Sequence, residues 1–304
     1  MTTTVWASAV QHTTSAQFQA WGSELSSRLQ SVGLSKTSDT GQINWGTVAI
    51  PAANTVAGYE VYAFNDTLQS TAPIYIKILY GSATSATIPA LWAIVGTATD
   101  GAGNMIGNVQ TAQLSWIYSH AIGSSTYYYP SYICYNASAG FLGIAWKLGL
   151  SGAPAPTVPG GFLAICRTVN TSGQTTGDGA AVYVVGAGNN WATQNIGQVN
   201  LSFLGLGAVY NSVAGQMNSG TVTGNVSSSL VGTSIQLYKH YTITPAVENL
   251  NQVLTHLAGE LGTGTTFNAA PVGTQSYTYV ALGPYVCTFG AGGGAAPCCA
   301  MLWQ

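Results

Sequence analysis

The chain has 304 residues, of which six are Lys or Arg and eight are Asp or Glu, giving a formal net charge of −2. Charged residues make up 5% of it, against about 25% in an ordinary soluble domain, and no basic stretch supplies the electrostatic footprint of a nucleic-acid binder. Hydrophobic residues reach 47% and mean hydropathy is +0.25, yet the longest apolar stretches, 88–96 and 201–210, fall short of the ~18 residues that suggest a membrane span.

The opening Met1-Thr2-Thr3-Thr4-Val5-Trp6 has neither a positive segment nor an apolar run, so no secretory signal is expected. Phe18, Trp21, Leu25, Leu29 and Val32 then recur at spacings of three and four, which predicts an amphipathic helix over 15–32. Thr13, Thr14 or Ser15 caps its start, Gly33 suits a left-handed end, and Glu24 with Arg28 forms a favourable pair four residues apart.

Beyond this helix most of the chain reads as short strands between turn residues. In 73–80, Ile74, Ile76 and Ile78 alternate with Tyr75, Lys77 and Leu79, placing the isoleucines on one sheet face. Further strands are expected at 59–64, 91–95, 114–118, 141–147, 162–169, 181–185, 234–239 and 276–282. Asp66, Asp100 and Asp178 lie in apparent turns, where aspartate bonds nearby backbone. A second amphipathic helix is expected over 245–261. Thr244 would cap it, Pro245 would take its first position, and Val247, Leu250, Leu254, Leu257 and Leu261 would form its stripe.

The fold class expected is therefore mainly β and β-sandwich-like, with two short helices. Pro154, Pro156 and Pro159 among glycines at 151–161 mark a boundary between two β-rich domains, 1–152 and 153–304. A long loop inside one domain fits the same composition.

The sequence offers little material for catalysis. Gly186-Ala187-Gly188 lacks the third glycine of a dinucleotide fingerprint, since Trp191 stands there, and no Gly-Lys-Ser/Thr cradle occurs. His12, His120, His240 and His256 share no ligand spacing. The five cysteines, Cys134, Cys166, Cys287, Cys298 and Cys299, are an odd number and read as thiols; adjacent Cys298 and Cys299 lack zinc-loop spacing. No catalytic residue, metal or cofactor is expected, and the chain is read as non-enzymatic.

Aromatic residues are the remaining signal, with 17 Tyr, 8 Trp and 7 Phe. Tyr127, Tyr128, Tyr129 and Tyr132 cluster in a turn-like context and are candidate interface residues, since aromatic side chains concentrate at interfaces. A sugar-stacking platform is the alternative. The apolar, glycine-rich end 286–303 adds Phe289, Leu302 and Trp303 as interface candidates; its removal is expected to weaken assembly more than folding.

The opening around Phe18 and Trp21, then Gly41-Gln42-Ile43-Asn44-Trp45, Gly58-Tyr59-Glu60-Val61-Tyr62-Ala63-Phe64, Pro73-Ile74-Tyr75-Ile76-Lys77 and the run from Val95 to Gly103 succeed one another in a characteristic order. With Phe162-Leu163-Ala164-Ile165-Cys166-Arg167, Gly173 and Gly177, they resemble uncharacterised structural proteins of tailed bacteriophages. The resemblance covers about a third of the chain, in residues 18–108, and carries no catalytic motif. It implies a virion component in many copies, in tail, baseplate or neck, assembled in the host cytoplasm. Partners would be copies of itself and other virion proteins. A receptor- or glycan-binding, fibre-like module that meets a host surface glycan is the alternative, and a capsid decoration protein is another.

Overall fold

The structure is a computed structural model. It describes residues 2–9, 12–83, 85–107, 109–110, 114–115, 128–146, 161–170, 172, 174–185, 200–205, 210–212, 233–239, 247–257, 264–269, 276–283 and 297–303. The chain begins with β1 (Thr2–Ala9), a strand that its threonine-rich sequence does not announce. Helix α1 (Ser15–Ser31) comes next, where the apolar stripe predicts it. Thr14 caps the helix by accepting from Gln17 N, while the Gln17 side chain accepts from Thr14 N. Glu24 and Arg28 pair at 2.7 Å, and Gly33 takes φ +117° just past the helix end.

The next strands are β2 (Ser35–Lys36), β3 (Val56–Ala63), β4 (Tyr75–Ser82), β5 (Pro89–Gly96), β6 (Ala98–Thr99), β7 (Met105–Ile106), β8 (Val109–Gln110) and β9 (Leu114–Ser115). One sheet has the order β2-β3-β4-β5-β8 with β9 also on β5, and β6 with β7 makes a small separate hairpin. Along β4, Ile76 and Ile78 are buried while Tyr75, Lys77 and Leu79 are only partly so; Ile74, just before the strand, is buried too. That is the alternation expected of a strand with one core face.

The later strands are β10 (Tyr128–Asn136), β11 (Phe141–Trp146), β12 (Gly161–Val169), β13 (Thr175–Val185), β14 (Asn200–Gly205), β15 (Tyr210–Ser212), β16 (Thr233–Lys239), β17 (Val247–Leu257), β18 (Thr266–Ala269), β19 (Tyr277–Gly283) and β20 (Pro297–Leu302). With β1 they form a second, antiparallel sheet whose main path is β1-β10-β11-β12-β17-β20-β19-β18. β13 and β14 branch from β12, and β16 joins β15 to β17. The proline-rich residues 151–160 lie outside the described residues, and the strands before and after them, β11 and β12, pair directly.

One core connects the two sheets. Phe18, Trp21, Leu25 and Leu29 of α1 meet Tyr62, Ile76 and Tyr80 from β3 and β4. The same cluster takes in Ile133, Tyr135, Leu142, Ile144, Leu163 and Ile165, which alternate along β10, β11 and β12. The opposite face of β10 and β11 is covered from the C-terminal end: Cys134 Sγ lies 3.7 Å from Trp303 O, and Met301 sits against Gly143. Gly22 is required inside α1, because a Cβ there would lie 1.9 Å from the Trp45 ring.

Three expectations are corrected. The helix expected at 245–261 is replaced, over its described residues, by strand β17. It pairs with β16 through Tyr238↔Val247 and with β20 through Val253↔Met301 and Leu257↔Pro297. Val247, Leu250, Leu254 and Leu257 do have helical spacing, but Asn249, Asn251, Val253 and Thr255 are poor helix formers. Strand partners on both sides then decide the matter, and partners distant in sequence leave no trace in a local period. Residues 258–261 lie outside the described residues. Asp178, expected in a turn, lies within β13. The tyrosine run, expected in a turn-like context, is strand β10 from Tyr128 onward.

The alternation on β4 generates a test. Ile76→Ala removes a fully buried side chain and is expected to cost about 2–5 kcal/mol. Lys77 donates to Gly103 O at 2.7 Å and lies over the Tyr59 ring, so Lys77→Ser is expected to cost only about 1 kcal/mol. Urea unfolding of both variants measures the difference, and equal costs would contradict the register.

Candidate interaction surface and the buried polar clusters

Alternation along β3 turns Glu60 and Tyr62 inward together, which places a carboxylate in the core with no exposed side-chain surface. Five donors surround it. Oε1 accepts from Lys36 Nζ at 2.5 Å, Ser26 Oγ at 2.9 Å and Trp45 Nε1 at 3.2 Å; Oε2 accepts from the hydroxyls of Tyr62 and Tyr80, both at 2.7 Å. Burial alone would raise the Glu60 pKa, but the bonds from Lys36, Tyr62 and Tyr80 together with the Lys36 charge outweigh it and hold the group below the ordinary glutamate range. Burial and the nearby carboxylate push the Tyr62 and Tyr80 hydroxyls up, so both stay protonated as donors. A carboxylate whose oxygens are saturated in this way is built to hold segments together.

The second cluster ties the two sheets. Arg167 of β12 is fully buried and grips Asp66 with two bonds, Nε to Oδ2 at 2.5 Å and Nη2 to Oδ1 at 3.0 Å. Asp66 also accepts from Leu68 N, the turn role expected of it. Gly140, at φ +54°, gives Arg167 room: a Cβ there would lie 2.6 Å from the arginine side chain. Beside this pair opens a polar depression of about 280 Å³, lined among others by Asp66, Thr67, Ser138, Gln174, Thr175 and Tyr277.

Asp100 behaves as its turn position predicts, accepting from Ala102 N, Asn104 N and Asn104 Nδ2. His12 is fully buried beside the Phe18 and Trp21 rings, and burial lowers it to about 4. His120 and His240 lie outside the described residues, and His256 stands on β17 opposite Cys298. Cys134 and Cys166 are buried free thiols; burial raises Cys134 to about 12 and Cys166 further, which keeps both protonated at neutral pH. Cys287 lies outside the described residues, and Cys298 and Cys299 stand on β20. Among the described residues no group of three or more His, Cys, Asp or Glu could hold a metal ion, and no helix is long and apolar enough to cross a membrane.

The aromatic candidates separate into those the fold brings together and those it does not. Tyr132 and Trp303 meet edge to face, with centroids 5.8 Å apart, and both stay partly exposed. Tyr128 and Tyr129 stand on β10 opposite Ala9 and Ser8 of β1. Leu302 is buried in the core. Tyr127 and Phe289 lie outside the described residues. Ala300, Met301 and Leu302 are buried and β20 is paired on both sides, so removing the end 286–303 would take a strand out of the sheet, and a cost to folding is expected beside the cost to assembly. Sequence reasoning missed the Glu60 and Arg167 clusters. The signal for Glu60 was its parity with Tyr62 on an alternating strand, whereas Asp66 and Arg167 are too far apart in the chain to be linked by any local pattern.

No protein-family model matches the chain, and neither a curated protein nor a solved structure does.

Both clusters and the buried histidine can be tested by substitution. Arg167→Met strands a buried carboxylate and is expected to cost about 3–5 kcal/mol, while Arg167→Met with Asp66→Leu recovers most of that loss. Chemical denaturation of the single and double variants checks it, and equal losses in both would refute a coupled pair. Acid stability should fall in two stages. His12 takes a proton at 6.5 when unfolded but only near 4 when folded, so its contribution is complete above pH 6.5 and about 3 kcal/mol is lost as pH falls toward 4. Glu60 is depressed from 4.5, so its contribution is present above 4.5 and lost below it. Thermal melts from pH 7.5 to 3 should show His12→Phe flattening the first stage. The gap between the native chain and Glu60→Gln should close in the second.

Proposed function

We propose that this chain is a non-enzymatic structural component of a tailed-phage virion, present in many copies in the tail, baseplate or neck and assembled in the host cytoplasm. The observation that carries the reading is its charge deficit, 5% of residues in a chain of 304. Three of those few charges are withdrawn into the fold, Glu60 with its partner Lys36 at the edge of the core and Arg167 with Asp66, while Arg28 and Glu24 pair on the surface. A surface so poor in charge resists association weakly, which suits a protein that spends its life against copies of itself and other virion proteins. The reading includes a sandwich-like stacking of the sheets, and the direct pairing of β11 with β12 favours a long loop at 151–161 inside one domain over a division there. The partly exposed pair Tyr132 and Trp303, with Tyr128 and Tyr129, are its first interface residues.

A receptor- or glycan-binding module is the second reading, and one observation favours it. The depression beside Asp66 joins hydroxyl and amide groups to the Tyr277 side chain, a combination that suits a sugar ring. Capsid decoration remains a variant of the first reading.

Sedimentation of the full-length protein over a concentration series, alone and mixed with particle components, tests the main reading. Association that grows with concentration, or incorporation into particles, is expected. A monomer at every concentration that joins no particle would overturn it. Binding to host surface polysaccharide that is abolished by Tyr277→Ala would favour the second reading instead.

A further inference from the structure

β1 is a long edge strand with nothing in its own sequence to blunt it. Among the described residues it pairs with β10 alone, in unbroken register from Thr2↔Tyr135 to Ala9↔Tyr128 with no bulge. Its eight residues, Thr-Thr-Thr-Val-Trp-Ala-Ser-Ala, include no charge and no proline. Proteins normally blunt an edge with a lysine, a proline, a bulge or a very short strand, and β1 carries none of these. Other terminal strands are shorter: β14 has six residues, β18 four and β2 two. At the middle of β1, Val5 is 52% exposed, one of three large apolar side chains left so open among the described residues. Arg28 reaches β1 from α1, donating to Thr4 Oγ1 at 2.7 Å. Side chains alternate along a strand, so Thr4 and the helix hold one face while Val5 lies on the other.

We infer that β1 is a homotypic docking edge, on which two copies of this chain pair their β1 strands antiparallel about a two-fold axis through Val5 and continue the sheet across the interface. The occupant is a second copy because the strand complements itself. In an antiparallel pair, residues opposite each other share a face, so the dyad must pass through a residue position. Centred on Val5 it sets Val5 against Val5, Thr4 against Trp6, Thr3 against Ala7 and Thr2 against Ser8. Each step joins β-branched, aromatic, hydroxyl or small residues, which make favourable cross-strand pairs, and no step brings like charges together. A single strand pair buries less than a stable dimer usually does, so this contact is weak in isolation and gains strength when further contacts in an assembly hold the copies close. The inference deepens the multi-copy reading proposed for the chain, and it can fail while that reading stands.

The experiment uses three variants of the full-length chain at an exposed position. Val5→Cys is oxidised mildly: residues opposite each other on antiparallel strands lie about 4.5–5.5 Å apart at Cα, within disulfide reach, so a covalent dimer is expected. Val5→Lys and Val5→Glu each place like charges across the axis and are expected to abolish β1-mediated dimers in sedimentation. Mixing the two is expected to restore a heterodimer. Native-like circular dichroism confirms folding, and if the charged variants misfold, the small Val5→Cys change decides alone. No cross-link at protein concentrations where the native chain associates overturns the docking edge and leaves the multi-copy reading in place. Undiminished association of folded Val5→Lys does the same. A native chain that stays monomeric, gives no cross-link as Val5→Cys and joins no particle overturns both.

Discussion

The buried Glu60 carboxylate is the constraint around which the first half of the chain is arranged. Its five donors come from α1, β2, the Trp45 segment, β3 and β4, so one side chain fixes the relative positions of five pieces of backbone. A charge taken out of water is tolerated only when its remaining bonding capacity is filled, and here a missing donor would leave the carboxylate short. This explains why Trp45 presses its ring against α1 at Gly22, while it meets Tyr80 edge to face at 4.9 Å. The indole must come close enough to the helix for Nε1 to reach Glu60. Apolar packing alone would accept several positions of α1 over β3 and β4, but the bond directions around Glu60 accept far fewer.

Arg167 and Asp66 apply the same logic between the sheets. The turn after β3 and the strand β12 are more than one hundred residues apart, and their bidentate pair sets where they meet. Nearby, Asn65 N donates to the Tyr135 hydroxyl at 2.5 Å, which adds β10 to the same junction. The apolar core spreads continuously from α1 to β12, while the two polar clusters decide how its layers sit on one another.

How much of this was legible depended on distance along the chain. The helix stripe Phe18, Trp21, Leu25 and Leu29, its cap at Thr14 and the alternation of Ile74, Ile76 and Ile78 are local patterns, and local physics explains them. β17 shows where that reasoning stops. Its leucines have helical spacing, yet the choice was made by Met301, Pro297 and Tyr238, partners that no short window contains. β1 failed for a related reason: a threonine-rich segment becomes a strand because β10 is there to receive it. The candidate surface was legible in type, since aromatic residues were singled out, but not in placement. Leu302 looked like surface and is core, whereas Tyr132 and Trp303, far apart in sequence, make one contact.

The scarcity of charge acts differently inside and outside the fold. Of the basic residues, Arg28, Lys36 and Arg167 are paired with carboxylates, and Lys77 is committed to a backbone carbonyl and a tyrosine ring. Glu60, Asp66 and Arg167 are buried outright, so they add nothing to the surface, and the exposed charges that remain are partly neutralised in pairs. Charged proteins choose partners largely by arranging attraction and repulsion. A chain with so little charge must rely on hydrogen-bond register and shape, and an unbulged edge strand supplies both, because a slip of one residue turns every side chain to the wrong face. Specificity of that kind is steep in geometry and nearly indifferent to ionic strength, since screening acts on charges that are scarcely present. On the multi-copy reading this reconciles a surface that resists association weakly with an assembly that must still be ordered: low charge lets copies approach, and backbone register decides which approach persists.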